Sequence, residues 1–126
     1  MISYVTLGSR DLAAAGRFYT ATLAPLDLVP GYADENFASF GPAGKPQLWL
    51  CKPYDGRPAC VGNGVMVALD AASRAQVDAV HAAALAAGGS CEGAPGLRDY
   101  APNFYACYFR DPDGNKLAVV CRAAEG

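Results

Sequence analysis

A chain of 126 residues has the length of one domain and can bury a sizeable core. Its formal net charge of −2, with lysines and arginines scattered, gives no electrostatic case for nucleic acid or an anionic membrane surface. No run approaches the roughly 18 apolar residues that a membrane span needs, and the start, Met1-Ile2-Ser3-Tyr4-Val5, lacks the basic and apolar regions of a signal peptide. A soluble, cytoplasmic protein is expected, with partners that are neither nucleic acid nor membrane.

Ile2 to Leu7 reads as a strand, apolar or β-branched almost throughout. Gly8-Ser9-Arg10-Asp11 is a turn, with Ser9 or Asp11 as candidate helix cap. Leu12 to Leu23 follows as a helix, its apolar positions Leu12, Ala15, Phe18 or Tyr19, and Leu23 recurring at helical spacing, and Pro25 marks its end. Short strands are expected at Leu28 to Tyr32, Phe37 to Phe40 and Gln47 to Cys51, broken by Pro30-Gly31 and by the turn from Pro42 to Pro46. Pro53 to Asn63 has a linker's composition. Val65 to Leu69 then reads as a strand. Ser73 caps a helix to about Ala87, with Gln76 placed for a capping box and Gly88-Gly89 ending it. A short segment near Ser90 to Glu92, a loop from Gly93 to Pro102, and strands at Asn103 to Arg110 and Lys116 to Arg122 complete the chain.

The most informative stretch runs from Tyr108 to Val120, where Asp111-Pro112-Asp113-Gly114-Asn115 separates two apolar runs and predicts a β-hairpin. A weaker copy lies 70 positions upstream, with Pro42 matching Pro112, Gly44 matching Gly114 and Leu48 matching Ala118. The earlier strands and helices align at a shift of 62, so that Tyr4 meets Met66, Tyr19 meets His81 and Leu23 meets Leu85. Such self-similarity predicts a duplication of one β-α-β-β-β unit. The expected fold class is α+β: two tandem βαβββ units forming a cupped mixed β-sheet. They make one domain over 1–126, with unit 1 at about 1–56 and unit 2 at about 62–122.

Five cysteines, Cys51, Cys60, Cys91, Cys107 and Cys121, include no Cys-x-x-Cys pair. In a cytosolic chain cysteine more often packs as a small hydrophobe than reacts. A thiolate nucleophile needs an activating base, and the only histidine is His81. His81 sits mid-helix near the core stripe, where a polar tip bonded to backbone at the helix–sheet boundary is the favoured role.

The opening residues Met1 to Gly8 with Asp11-Leu12, Phe18-Tyr19 with Leu23-Ala24-Pro25-Leu26, the helix from Val77 to Gly89, and Asp111 to Leu117 resemble a small bacterial branch of the vicinal oxygen chelate superfamily. That superfamily includes glyoxalase I, bleomycin-resistance proteins and extradiol dioxygenases. The resemblance covers essentially the whole chain. It implies sheets that form an open cup around a pocket, and commonly a homodimer, but no single reaction.

The resemblance also implies where a divalent metal would be held, by His and Glu on the first and last strands of each unit. The positions carried over are Tyr4 and Met66 on the first strands, and Leu48 and Ala118 on the last. These are not a ligand set for a borderline or hard divalent ion. A one-residue slip offers only Ser3, Val5, Val65, Val67, Gln47, Trp49, Leu117 or Val119. No metal, cofactor or catalytic residue is therefore assigned.

The expected ligand-binding pocket comprises Tyr4, Trp49, Met66, Arg98, Tyr100, Tyr105 and Ala118. Tyr4 and Met66 would line its floor, or else pack as core. Trp49, the sole tryptophan, should not share a face with Leu48. The loop from Leu97 to Tyr105 is dense in aromatic and polar groups, and Arg98 could meet an anionic group or simply pair with Asp99 or solvent. Asp34-Glu35 reads as a solvated acidic pair. The leading expectation is metal-free binding of a small organic molecule in an aromatic-lined cup. The alternatives are a lyase, isomerase or dioxygenase-type enzyme working from a noncanonical site, and a dimeric scaffold whose pocket is vestigial.

Overall fold

The computed structural model describes residues 1–125. Eight strands and two helices follow the order β1 (Val5–Gly8), α1 (Leu12–Leu23), β2 (Val29–Ala33), β3 (Phe37–Gly41), β4 (Leu48–Cys51), β5 (Val67–Asp70), α2 (Arg74–Ala86), β6 (Ser90–Leu97), β7 (Tyr105–Arg110) and β8 (Lys116–Cys121). The strands form two four-stranded sheets, ordered β1-β4-β3-β2 and β5-β8-β7-β6. Each sheet is mixed: β1 and β5 run parallel to β4 and β8, and the other pairs are antiparallel. The fold is thus α+β, with the sheets separate rather than continuous.

Local chemistry accounts for the helices. Of the two candidate caps, Asp11 caps α1 by accepting from the Ala14 amide at 3.0 Å. The Ser9 hydroxyl instead accepts from the Asp11 amide. Pro25 lies in a single 3-10 turn, Ala24–Leu26, that closes α1. In α2, Ser73 and Gln76 form the full capping box. Gly88, at φ 101°, takes the left-handed conformation that ends the helix.

One face of each sheet packs on the helices. Leu7, Phe40, Leu48 and Leu50 from the first sheet join Cys107, Phe109, Leu117 and Val119 from the second around Phe18, Tyr19, Leu23, Val77 and Val80. The Phe18 ring lies 6.3 Å from Phe109 and the Tyr19 ring 5.8 Å from Phe40, so α1 touches both sheets.

The loop expected from Gly93 to Pro102 is a strand as far as Leu97. Gly93, Pro95 and Gly96 are poor strand residues, but β6 is an edge strand and its pairing with β7 slips at Cys91/Gly93 and Gly93/Gly96. Edges and bulges are where proline and glycine are tolerated in sheets. The first strands are also shorter than expected: β1 begins at Val5 and β5 at Val67.

Register corrects the internal alignment. Val5 pairs with Leu48, and Val67 with Leu117. Leu48 is therefore the counterpart of Leu117, and Trp49 that of Ala118. The last strands align at a shift of 69, not 70, because the intervening loops differ in length.

Candidate aromatic ligand site

Strand alternation separates the site from the core. Leu48 is buried among the helices, while Trp49 points to the other side of its sheet with Thr6, its partner on β1. On that open side Trp49 meets Phe37 edge-on at 6.2 Å and lies 6.2 Å from the Tyr32 ring. Tyr4 is 60% exposed, Tyr32 54% and Phe37 42%. A cavity of about 460 Å³ opens here between Tyr4, Thr6, Phe37, Pro46 and Trp49.

Asp34 holds this edge in place. Its carboxylate accepts from the Tyr32 hydroxyl at 2.6 Å and from the Asn36 and Phe37 amides at 2.8 Å each. The Tyr32 bond comes first among the causes that hold the Asp34 carboxyl below the usual carboxylate range. The acidic pair expected to be merely solvated thus contains the residue that sets the β2–β3 turn and aims Phe37.

The seven expected pocket residues do not form one site. Tyr4 and Trp49 share the aromatic cavity. Met66, 45% exposed, meets Tyr4 instead in a second cleft of about 490 Å³ beside the first strands of the two units. Ala118 is fully buried on the open side of the second sheet, with Ala106 and Val120, packed against Phe104 and Tyr108. Arg98 lies over the Tyr108 ring at 5.4 Å, while its guanidinium donates to the Ala94 carbonyl at 2.7 Å. Its hydrogen-bond acceptor is thus backbone rather than the Asp99 carboxylate. Tyr100 is 76% exposed and stacks edge-on with Phe104 at 5.4 Å.

Tyr105 stands apart from all of these. It alternates with the core residues Cys107 and Phe109, so its ring lies on the helix side of the sheet. Its hydroxyl donates to Asp78 on α2 at 2.6 Å, beneath the Arg74 guanidinium. His81 also departs from expectation: its Nε2 lies 3.2 Å from the Cys91 sulfur rather than on backbone.

Sequence reasoning missed Thr6, Phe37 and Pro46. Alternation would have found the first, since Thr6 follows Tyr4 by two positions on a strand. Phe37 needed the β3–β4 register, which sequence alone did not fix.

The two open faces therefore differ. The first carries exposed rings over a cavity. The second is closed by its own side chains, with Arg98 and Lys116 over Tyr108 and Arg122 over Phe104. The corrected register also settles which donors stand at the places where metal-binding relatives would hold an ion. On the open faces these are the Tyr4 phenol, the Met66 thioether, the Trp49 indole and the Ala118 methyl. That set does not fit a divalent metal. Among the described residues, no group of three or more His, Cys, Asp or Glu side chains is placed to hold an ion elsewhere.

A duplicated βαβββ unit with helices on one side of paired mixed sheets defines the class of glyoxalase and bleomycin-resistance folds. Residues 4–120 match the family described as Glyoxalase-like domain, and the chain belongs to that family. It is similar to the crystal structure of a glyoxalase/bleomycin resistance protein from Albidiferax ferrireducens, at 38% identity and a TM-score of 0.86 over 96% of this chain and 98% of that one. A glyoxalase/bleomycin resistance protein/dioxygenase from Nocardioides aligns at 27% identity and a TM-score of 0.66, over 100% of this chain and 85% of that one. A glyoxalase-related enzyme from Fulvimarina pelagi, at 20% identity and a TM-score of 0.76 over 96% and 87%, shares the fold. No curated protein matches the sequence.

Proposed function

We propose that this protein binds a small organic molecule, without a metal, against the aromatic face of its first sheet. The observation that carries this reading is the pair of exposed rings, Tyr4 and Phe37, that line a cavity of about 460 Å³ with the single tryptophan, whose ring lies 6.2 Å from that of Tyr32. Apolar walls with a few polar tips suit a modest, flat ligand. The Tyr4 hydroxyl and the Thr6 side chain are the polar groups in the cavity wall that can orient it.

Trp49 is the only indole, so its emission reports on this site alone. Titration with a panel of planar aromatic compounds is expected to give saturable quenching that is unchanged by a chelator. Absence of saturable quenching across the panel would favour the scaffold reading, which the filled face of the second sheet already supports for that half. Stoichiometric nickel, zinc, iron or manganese in the native protein would overturn the metal-free reading and favour an enzyme. The expected homodimer finds support in the exposed apolar residues Ile2, Val65 and Met66 before the free edges of β1 and β5. Light scattering on the eluted protein tests it.

A further inference from the structure

The chain's only histidine and one of its exposed cysteines meet away from the aromatic cavity. His81 on α2 is 8% exposed and places Nε2 3.2 Å from the sulfur of Cys91 on the edge strand β6. Cys91 itself is exposed. The pairing of β6 with β7 slips just after it, at Cys91/Gly93, and bulges re-aim side chains. The other cysteines differ: Cys107 and Cys121 are buried in the core, and Cys60 is exposed with no imidazole to meet; among the described residues the side-chain hydrogen-bond partner of His81 is Cys91.

We infer that Cys91 is a thiol-exchange site for low-molecular-weight disulfides, with His81 as the base that takes the thiol proton. Attack requires the thiolate. Nε2 of neutral His81 accepts the Cys91 proton, and the sulfur attacks one sulfur of R–S–S–R. The S–S bond breaks, Cys91 becomes a mixed disulfide, and the departing thiolate takes the proton back from the imidazolium as RSH. The Cys91 sulfur is oxidised, the leaving sulfur is reduced, and no other reactant is consumed. The charged neighbours are Asp78, one turn earlier on α2, and Glu92, which is paired with Arg110. Burial holds His81 in the neutral form that can accept a proton, and Asp78 partly offsets that burial by stabilising the imidazolium that forms. The open edge strand gives a small disulfide its approach.

The test uses the full chain and hydroxyethyl disulfide, a neutral probe, with time-resolved mass analysis of each cysteine peptide. Cys91 is expected to react roughly tenfold or more faster than exposed Cys60, as base assistance implies. His81→Gln should bring the two rates together. Label at buried Cys107 or Cys121 would reveal an unfolded variant. His81→Asn then replaces it, and if that also unfolds the wild-type rate ratio decides. Equal wild-type rates overturn the inference, as does a folded His81→Gln protein in which Cys91 keeps its advantage.

Discussion

Tyr19 on the first helix donates its hydroxyl to the carboxylate of Asp111 at the second hairpin, at 2.6 Å and 92 positions away in sequence. Both residues are buried. The same carboxylate accepts from the Asp113 and Asn115 amides and from the Asn115 side chain, which also donates to the Gly8 carbonyl. The Asp-Pro-Asp-Gly-Asn turn is therefore a clamp that ties the second unit to α1 and β1 of the first. Tyr19→Phe removes one donor from a buried carboxylate. It should lower unfolding free energy by about 1–3 kcal/mol, measured by urea denaturation. An unchanged midpoint would show that water replaces the hydroxyl.

The same bond predicts a pH dependence. Burial first, and Asp111 second, raise the Tyr19 pKa well above the ordinary value. The unfolded chain therefore loses this proton before the folded protein does. The contribution is complete below the unfolded value of about 10 and falls as pH rises above it. Alkaline loss of stability should be steeper in the wild type than in Tyr19→Phe, as read from urea midpoints across that range.

Phe37→Ala should weaken quenching of Trp49 by planar ligands and shift its emission to the red, because the edge-on ring at 6.2 Å is lost. Since Phe37 is 42% exposed, the cost in stability should stay within about 1 kcal/mol. Unchanged ligand titrations would place binding elsewhere.

Ala118→Leu overfills the closed face, where Ala118 has no exposed surface. A loss of about 1–3 kcal/mol is expected. Trp49→Phe, at the equivalent place in the other unit, should cost less. Thermal melts of the two variants side by side check the contrast.

Gly89→Ala should be among the most damaging small changes. A methyl there would lie 2.7 Å from the Arg110 carbonyl oxygen and 2.9 Å from both the Ala84 carbonyl oxygen and the Phe18 ring. Neither backbone oxygen can move freely, so a loss above about 2 kcal/mol is expected, read by denaturant titration.

Elements carried by local chemistry were legible in the sequence. Ser73 and Gly88 announce the ends of α2, the cap of α1 is narrowed to Ser9 or Asp11, and Trp49 and Leu48 fall on opposite faces as alternation requires. What escaped depended on long-range pairing. β6 looked like a loop because Gly93, Pro95 and Gly96 are judged by propensity, whereas an edge position tolerates them. Adjacency in sequence groups Tyr105 with Arg98 and Tyr100. Strand alternation sends it to the opposite side of the sheet. Cys91 meeting His81 was invisible because nothing local indicates which residue of a bulged strand faces a helix.

Trp49 and Ala118 hold the same place in two copies of one ancestral unit, yet their surroundings give them opposite mutational freedom. Ala118 is walled in, so nearly every replacement must displace Tyr108 or Phe104. Trp49 borders open space, so replacements there leave the fold intact. Sequence drift among descendants of this chain should therefore concentrate on the first unit's open face. Substitutions can accumulate there without a compensating change anywhere else in the molecule.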